Sequence, residues 1–206
     1  ITGSTKGVGQ AIACAMAEAG ANVVIHGRQM SDAAQQTLDR CRQAGVQAEF
    51  ITGDLSAETE TAVEDVFQQA MAANPDIDIL VNNAGAIPAG NINRVDEETW
   101  REAWDLKLFG YISLCRGIYA SMSARRDESG QRVILNIIGA GGERPSSGYL
   151  AGAGANAGLM AITRAMGGVS RKHGIRVLGI NPGQIVTERL ETMQRVLAEE
   201  KFGDAE

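Results

Sequence analysis

The chain has 206 residues, 44% of them hydrophobic, with no linker or shift in composition, so residues 1–206 read as one domain with a substantial core. A formal net charge of −6 without a basic stripe or Lys/Arg run argues against a nucleic-acid partner. No apolar run approaches the roughly 20 residues of a membrane span, no basic-then-apolar signal stands at the start, and Cys14, Cys41 and Cys115 sit far apart without metal-ligand spacing, so a cytoplasmic protein with reduced thiols, no metal and no membrane partner is expected.

Thr2-Gly3-Ser4-Thr5-Lys6-Gly7-Val8-Gly9 opens the chain as a glycine-rich turn leading into the apolar run Val8, Ile12, Ala15, Met16 and Ala19. Glycines at 3, 7 and 9 let the turn tighten and the backbone approach a pyrophosphate, while a helix beginning near Gly7 offers its free N–H groups and positive dipole end to the phosphates. Only Ile1 and Thr2 precede the turn, where a buried strand takes about five residues, so the first strand is expected to lose its beginning. Short aliphatic or β-branched runs ended by Gly, Asn or Asp then read as strands at 22–26, 47–52, 77–82, 132–138 and 175–181. Helical patterns fill the gaps. Val63, Val66, Phe67, Ala70 and Met71 share one face of 61–73, residues 96–123 form a long helix with an aromatic stripe, and 150–173 form another rich in small residues. This alternation predicts a doubly wound, Rossmann-like α/β fold, a parallel sheet with helices on both faces and a ligand at the carboxyl ends of the strands.

The Thr-Gly-x-x-x-Gly-x-Gly turn followed by Asn82-Asn83-Ala84-Gly85 resembles the short-chain dehydrogenase/reductase superfamily, and the resemblance covers the whole chain. Asp54-Leu55 is similar to that family's adenine-contacting pair, and Asn181-Pro182-Gly183-Gln184-Ile185-Val186-Thr187 to its nicotinamide-side loop. The resemblance implies a nicotinamide dinucleotide held by Gly3, Ser4, Thr5, Lys6, Gly7, Val8, Gly9, Arg28, Asp54, Leu55, Asn83, Ala84, Gly85, Pro182, Gly183, Ile185 and Thr187. It also implies a homodimer or homotetramer assembled through helices 96–123 and 150–173, and a mobile substrate lid inside which Phe202-Gly203-Asp204-Ala205-Glu206 stops. Cofactor choice follows from charge. The second strand runs into His26-Gly27-Arg28 with no carboxylate at its end, so Arg28 and Lys6 are expected to flank a 2′-phosphate, which favours NADP over NAD. The alternative is that both cations are solvated surface charges.

Members of the family carry Asn, Ser, Tyr and Lys as catalytic residues. In register, Lys107 of Trp104-Asp105-Leu106-Lys107-Leu108-Phe109-Gly110 stands at the asparagine position and Gly139 of Asn136-Ile137-Ile138-Gly139 at the serine position. Asn156-Ala157-Gly158-Leu159 puts Asn156 at the lysine position and Gly152 at the tyrosine position, 13 residues after Gly139. Lysine and asparagine have thus changed places between two positions that adjoin in the family. Lys107 interrupts an apolar face made by Trp100, Trp104, Tyr111 and Leu114, and a lysine there is costly unless something uses it. Tyr149 lies three residues before the vacated tyrosine position, roughly one helical turn, and with Lys107 is expected to act as a re-sited acid. Against this, Lys107 could snorkel to solvent or pair with Glu97 or Glu143, Tyr149 could merely pack at the cleft mouth, and Glu143 or Arg144 could supply the acid or anion-binding chemistry. His26 and His173 are read as bystanders.

Three functions remain open: an NADP-dependent oxidoreductase acting on a small carbonyl or alcohol through Lys107, Tyr149 and Asn156, a catalytically silent NADP-binding sensor, and a non-redox lyase on the same fold.

Overall fold

Val23 and Ile25 point into one hydrophobic cluster and the intervening Val24 into another, so the sheet is covered on both faces. In the computed structural model, which describes residues 1–56, 60–125 and 131–203, the strands are β1 (Val23–Gly27), β2 (Ala48–Thr52), β3 (Ile79–Asn82), β4 (Arg132–Ile137) and β5 (Ile175–Ile180). They fall within two residues of the expected boundaries. All pairings are parallel: β1 with β2, and β3, β4 and β5 in that order. Residues 1–4 join the two groups, since the Thr2 N–H donates to the Val81 carbonyl at 2.9 Å and the Ser4 N–H to the His26 carbonyl at 3.0 Å. The chain leaves this segment toward β1 and β2 on one side and returns to β3, β4 and β5 on the other. That reversal is the switch point at which α/β sheets open a ligand crevice.

Between the strands run α1 (Gly7–Glu18), α2 (Asp32–Gln43), α3 (Glu60–Ala73), α4 (Glu97–Trp104), α5 (Gly110–Ala124), α6 (Leu150–Ser170) and α7 (Glu188–Phe202). Ser31 and Asp96 cap α2 and α4, accepting from the N–H groups of Ala34 at 3.2 Å and Thr99 at 2.8 Å. The long helix expected over 96–123 is continuous but widened, because a π-helical turn, Asp105–Phe109, separates α4 from α5. One cluster packs Val66, Leu114, Cys115, Ile118 and Met122 of α3 and α5 against Ile51, Leu80, Ile134 and Val177. The other packs Ala13, Cys14, Ala17, Leu38 and Cys41 of α1 and α2 against Val23, Ile25 and Ala48.

Two expectations are corrected. The buried face of α1 is Gly9, Ala13, Cys14 and Ala17, while Val8, Ile12 and Met16 are half-buried and Ala15 and Ala19 exposed. Small residues win because α1 lies close against both the glycine turn and α2. The cysteines are not all far apart: Cys14 and Cys41 share the cluster between α1 and α2, and burial pushes the Cys41 thiol up to about 11. Residues 204–206 of the lid expectation lie outside the described residues. Among the described residues, no helix is long and apolar enough to cross a membrane, and no three metal-ligating side chains gather.

Candidate active site

The glycine turn and the Asn82–Gly85 loop lock together at the switch point. Thr2 Oγ1 accepts from the N–H groups of Asn83 at 2.9 Å and Ala84 at 3.0 Å, and Asn83 Nδ2 donates to the carbonyls of Thr2 and Gly3, each at 3.0 Å. Gly3 has φ +58°, and a β-carbon there would stand 2.9 Å from Ala84 Cα, so glycine is required for both conformation and space. Ser4 and Thr5 serve the turn internally, Ser4 Oγ accepting from the His26 N–H at 3.0 Å and the Thr5 carbonyl from Thr37 at 3.1 Å.

Sequence reasoning missed His26. Its Nδ1 accepts from the Gly3 N–H at 3.2 Å, which leaves Nε2 as the protonated nitrogen, donating to the Gly53 carbonyl at 3.2 Å. Burial pulls its pKa down to about 4, so the ring is a neutral brace under the turn.

α1 begins without a side-chain cap, at Lys6, and has no acidic residue in its first turn. The N–H groups at its start are therefore offered outward. Beside them, a β-carbon at Gly7 would meet only the Thr187 methyl at 3.8 Å, and one at Gly183 would meet nothing within 4 Å. This open, uncapped cradle fits the pyrophosphate of a dinucleotide, with half-buried Val8 at its base and buried Ala84 and half-buried Gly85 alongside. On the adenosine side, Arg28 is exposed beyond β1 and Leu55 is buried. Burial pushes the Asp54 carboxyl up, but hydrogen bonds from the Ser56 hydroxyl at 2.6 Å and N–H at 2.9 Å, with the nearby Arg28 charge, hold it below the ordinary range. The Lys6 ammonium pairs with Glu188 of α7 at 2.9 Å, both groups being exposed. On the other side, the Pro182 carbonyl accepts from the Ala140 N–H at 2.9 Å, Ile185 is exposed, and Thr187 caps α7 by accepting from the Leu190 N–H at 3.3 Å.

Lys107 turns inward. It is 6% exposed, and its ammonium donates to the Ile138 carbonyl at the end of β4, 2.5 Å away. The alternative carboxylates are engaged: Glu97 accepts from Arg101 at 2.6 Å, and Glu143 from Asn181 at 2.8 Å. Asn156 of α6 is 2% exposed, and its Oδ1 makes no hydrogen bond. Its Nδ2 lies 3.1 Å from where a β-carbon at Gly139 would stand and 3.5 Å from one at Gly141. Tyr149, the N-cap of α6, is half-buried, and its ring edge lies 3.3 Å from the β-carbon position of Gly141. Residues 138–141 therefore touch Lys107, Asn156 and Tyr149 in turn. Beneath them, Asn82 Nδ2 donates to Asn136 Oδ1 at 2.9 Å and to Cys115 Sγ at 3.3 Å, and Asn136 Nδ2 to Thr163 Oγ1 at 2.9 Å. These buried amides tie β3, β4, α5 and α6 together below the site; an asparagine at the end of each apolar strand run was the available signal.

The short chain dehydrogenase family model matches residues 1–197. A 3-oxoacyl-[acyl-carrier-protein] reductase FabG of Chlamydia trachomatis is 32% identical over 202 residues, covering 97% of this chain and 78% of that protein. The FabG of Staphylococcus epidermidis is 28% identical over 189 residues, 91% of this chain and 75% of that one. Among solved structures, L-sorbose reductase from Gluconobacter frateurii, complexed with NADPH and L-sorbose, superposes with a TM-score of 0.85 at 29% identity, over 100% of this chain and 76% of that one. An NAD+-bound xylitol dehydrogenase shares the fold, with a TM-score of 0.87 at 20% identity over 96% and 74% of the two chains. With the family model spanning nearly the whole chain and the glycine turn locked to the Asn82–Gly85 loop, this protein belongs to the short-chain dehydrogenase family.

Proposed function

We propose that this chain is an NADP-dependent oxidoreductase that interconverts a carbonyl and an alcohol on a small molecule, using a rearranged proton-transfer group. The observation that carries the reading is the buried Lys107 ammonium at the end of β4, on the same short segment that touches Asn156 and Tyr149. A buried ammonium is costly unless a partner or a reaction uses it. Gly3 to Gly9, Arg28, Asp54, Leu55, Asn83 to Gly85 and Pro182 to Thr187 would hold the dinucleotide, whose nicotinamide, when bound, supplies or takes up the hydride at the substrate carbon. In reduction, the Tyr149 hydroxyl gives its proton to the carbonyl oxygen, and Lys107 steadies the negative charge left on the phenol. Asn156, whose Nδ2 lies beside Gly139 and Gly141, shapes the floor of the same space.

The test follows nicotinamide absorbance with a panel of ketones, aldehydes and secondary alcohols. Lys107→Met and Tyr149→Phe should each lower turnover by about 10² or more, the scale for a lost acid or base, with cofactor binding intact. Turnover equal to wild type in both variants overturns the Lys107 and Tyr149 roles, and none in the parent protein moves the reading to a cofactor-binding sensor. We further propose a homodimer or homotetramer. A groove of about 570 Å³ lined by Ile92, Trp100, Trp104 and Phe109 runs along α4, and Phe109 is 53% exposed at its edge.

A further inference from the structure

We infer that Gly152 positions Tyr149: α6 is bare at that point so that the phenol ring lies in the volume a side chain at 152 would fill. The inference rests on the reading of Tyr149 as the acid, and it names the residue that admits the acid to the site. A β-carbon built on Gly152 overlaps Cε1 and Cζ of Tyr149 and stands 2.6 Å from its hydroxyl oxygen. A β-carbon position at Gly141 lies 3.3 Å from Cδ1 and 3.4 Å from Cε1 of the same ring, a tight approach from a second backbone segment. The phenol thus lies in a slot lined by two bare stretches of backbone.

The backbone of Tyr149 has little room to yield. Its N–H donates to the Ser146 carbonyl at 3.0 Å, its carbonyl accepts from the Ala153 N–H at 2.9 Å, and Gly148 is tied to Gly90 by a 2.7 Å hydrogen bond. A methyl at 152 is therefore relieved by rotation of the Tyr149 side chain, which carries the hydroxyl out of the site. A glycine placed here merely as a small helix residue predicts the opposite, since alanine is the better helix former.

A double-mutant cycle separates the two accounts. Gly152→Ala is made in the parent protein and in Tyr149→Ala; melting temperature is measured in both backgrounds, and in the parent background also the rate at which Tyr149 is nitrated by tetranitromethane, read by peptide mass spectrometry. With the slot, Gly152→Ala speeds nitration of Tyr149 and lowers the melting temperature of the parent, while raising it in Tyr149→Ala, where the ring is gone. Turnover of Gly152→Ala falls by about the same 10² as Tyr149→Phe, with cofactor affinity unchanged. The exchanged variant Tyr149→Ala/Gly152→Tyr returns a phenol to the same volume and recovers turnover over Tyr149→Ala. Unchanged nitration, with the same melting shift in both backgrounds, overturns the slot. Where nitration and the cycle respond but Tyr149→Phe turns over like the parent, the slot stands and the acid role of Tyr149 is overturned.

Discussion

The Gly3 amide donates to Nδ1 of His26, so a neutral imidazole holds up the glycine turn ahead of α1. Its pKa is pulled from 6.5 to about 4, chiefly by burial. Between those values the unfolded chain binds a proton that the folded one refuses, so the His26 contribution to stability is complete above about 6.5, declines as pH falls, and is fully lost near 4. Denaturant melts from pH 7 to 4 should show this slope, and His26→Gln should flatten it. A slope equal in both proteins would assign acid sensitivity to other groups.

Gly9 and Gly168 should respond to alanine with opposite signs. A β-carbon on Gly9 overlaps the Gly3 carbonyl oxygen and stands 2.5 Å from Asn83 Nδ2, so Gly9→Ala forces the turn and the Asn82–Gly85 loop apart. The expected loss is about 1–3 kcal/mol, as for an overpacked site, with weaker dinucleotide binding. Nothing lies within 4 Å of a β-carbon on Gly168 in α6, so Gly168→Ala should gain roughly 0.5–1 kcal/mol. Chemical denaturation of the two variants checks both signs.

The proposed NADP preference turns on Arg28, with Lys6 held by a competing anion. NADP should bind about tenfold or more tightly than NAD, and Arg28→Asp should abolish or reverse the preference. Because the Lys6–Glu188 pair is exposed, releasing Lys6 by Glu188→Gln should improve NADP affinity by only about two- to threefold, and less at high salt. Calorimetry with both cofactors decides; equal affinities in the parent protein would reject the preference.

Assembly through the α4 groove predicts that Phe109→Glu yields a monomer. The parent should sediment as a dimer or tetramer at micromolar concentration, since an exposed aromatic beside Trp100 and Trp104 is what a buried interface centre requires. A parent that sediments as a monomer, or a variant that assembles equally well, would place the interface elsewhere or nowhere.

Local pattern determined the fold. The aliphatic runs, the glycines at 3, 7 and 9 and the Asn82–Gly85 loop act through neighbours in the chain, by strand alternation, turn conformation and helix start, and so were legible in the sequence. The interrupted apolar face likewise pointed Lys107 inward, although its carbonyl partner, Ile138, lies 31 residues away. Tertiary structure alone decided what depends on two distant segments meeting. Lys6 turned to Glu188, 182 residues on, because α7 passes beside the glycine turn, and His26 became a brace because β1 lies against residues 1–4. Cys14 and Cys41 met because α1 and α2 pack together. Tyr149 and Gly152 are near in sequence, yet the phenol that folds back over bare α6 backbone is also approached by Gly141 from a distant segment. Side-chain direction at such points is set by the volume left by neighbouring elements, which no periodicity encodes.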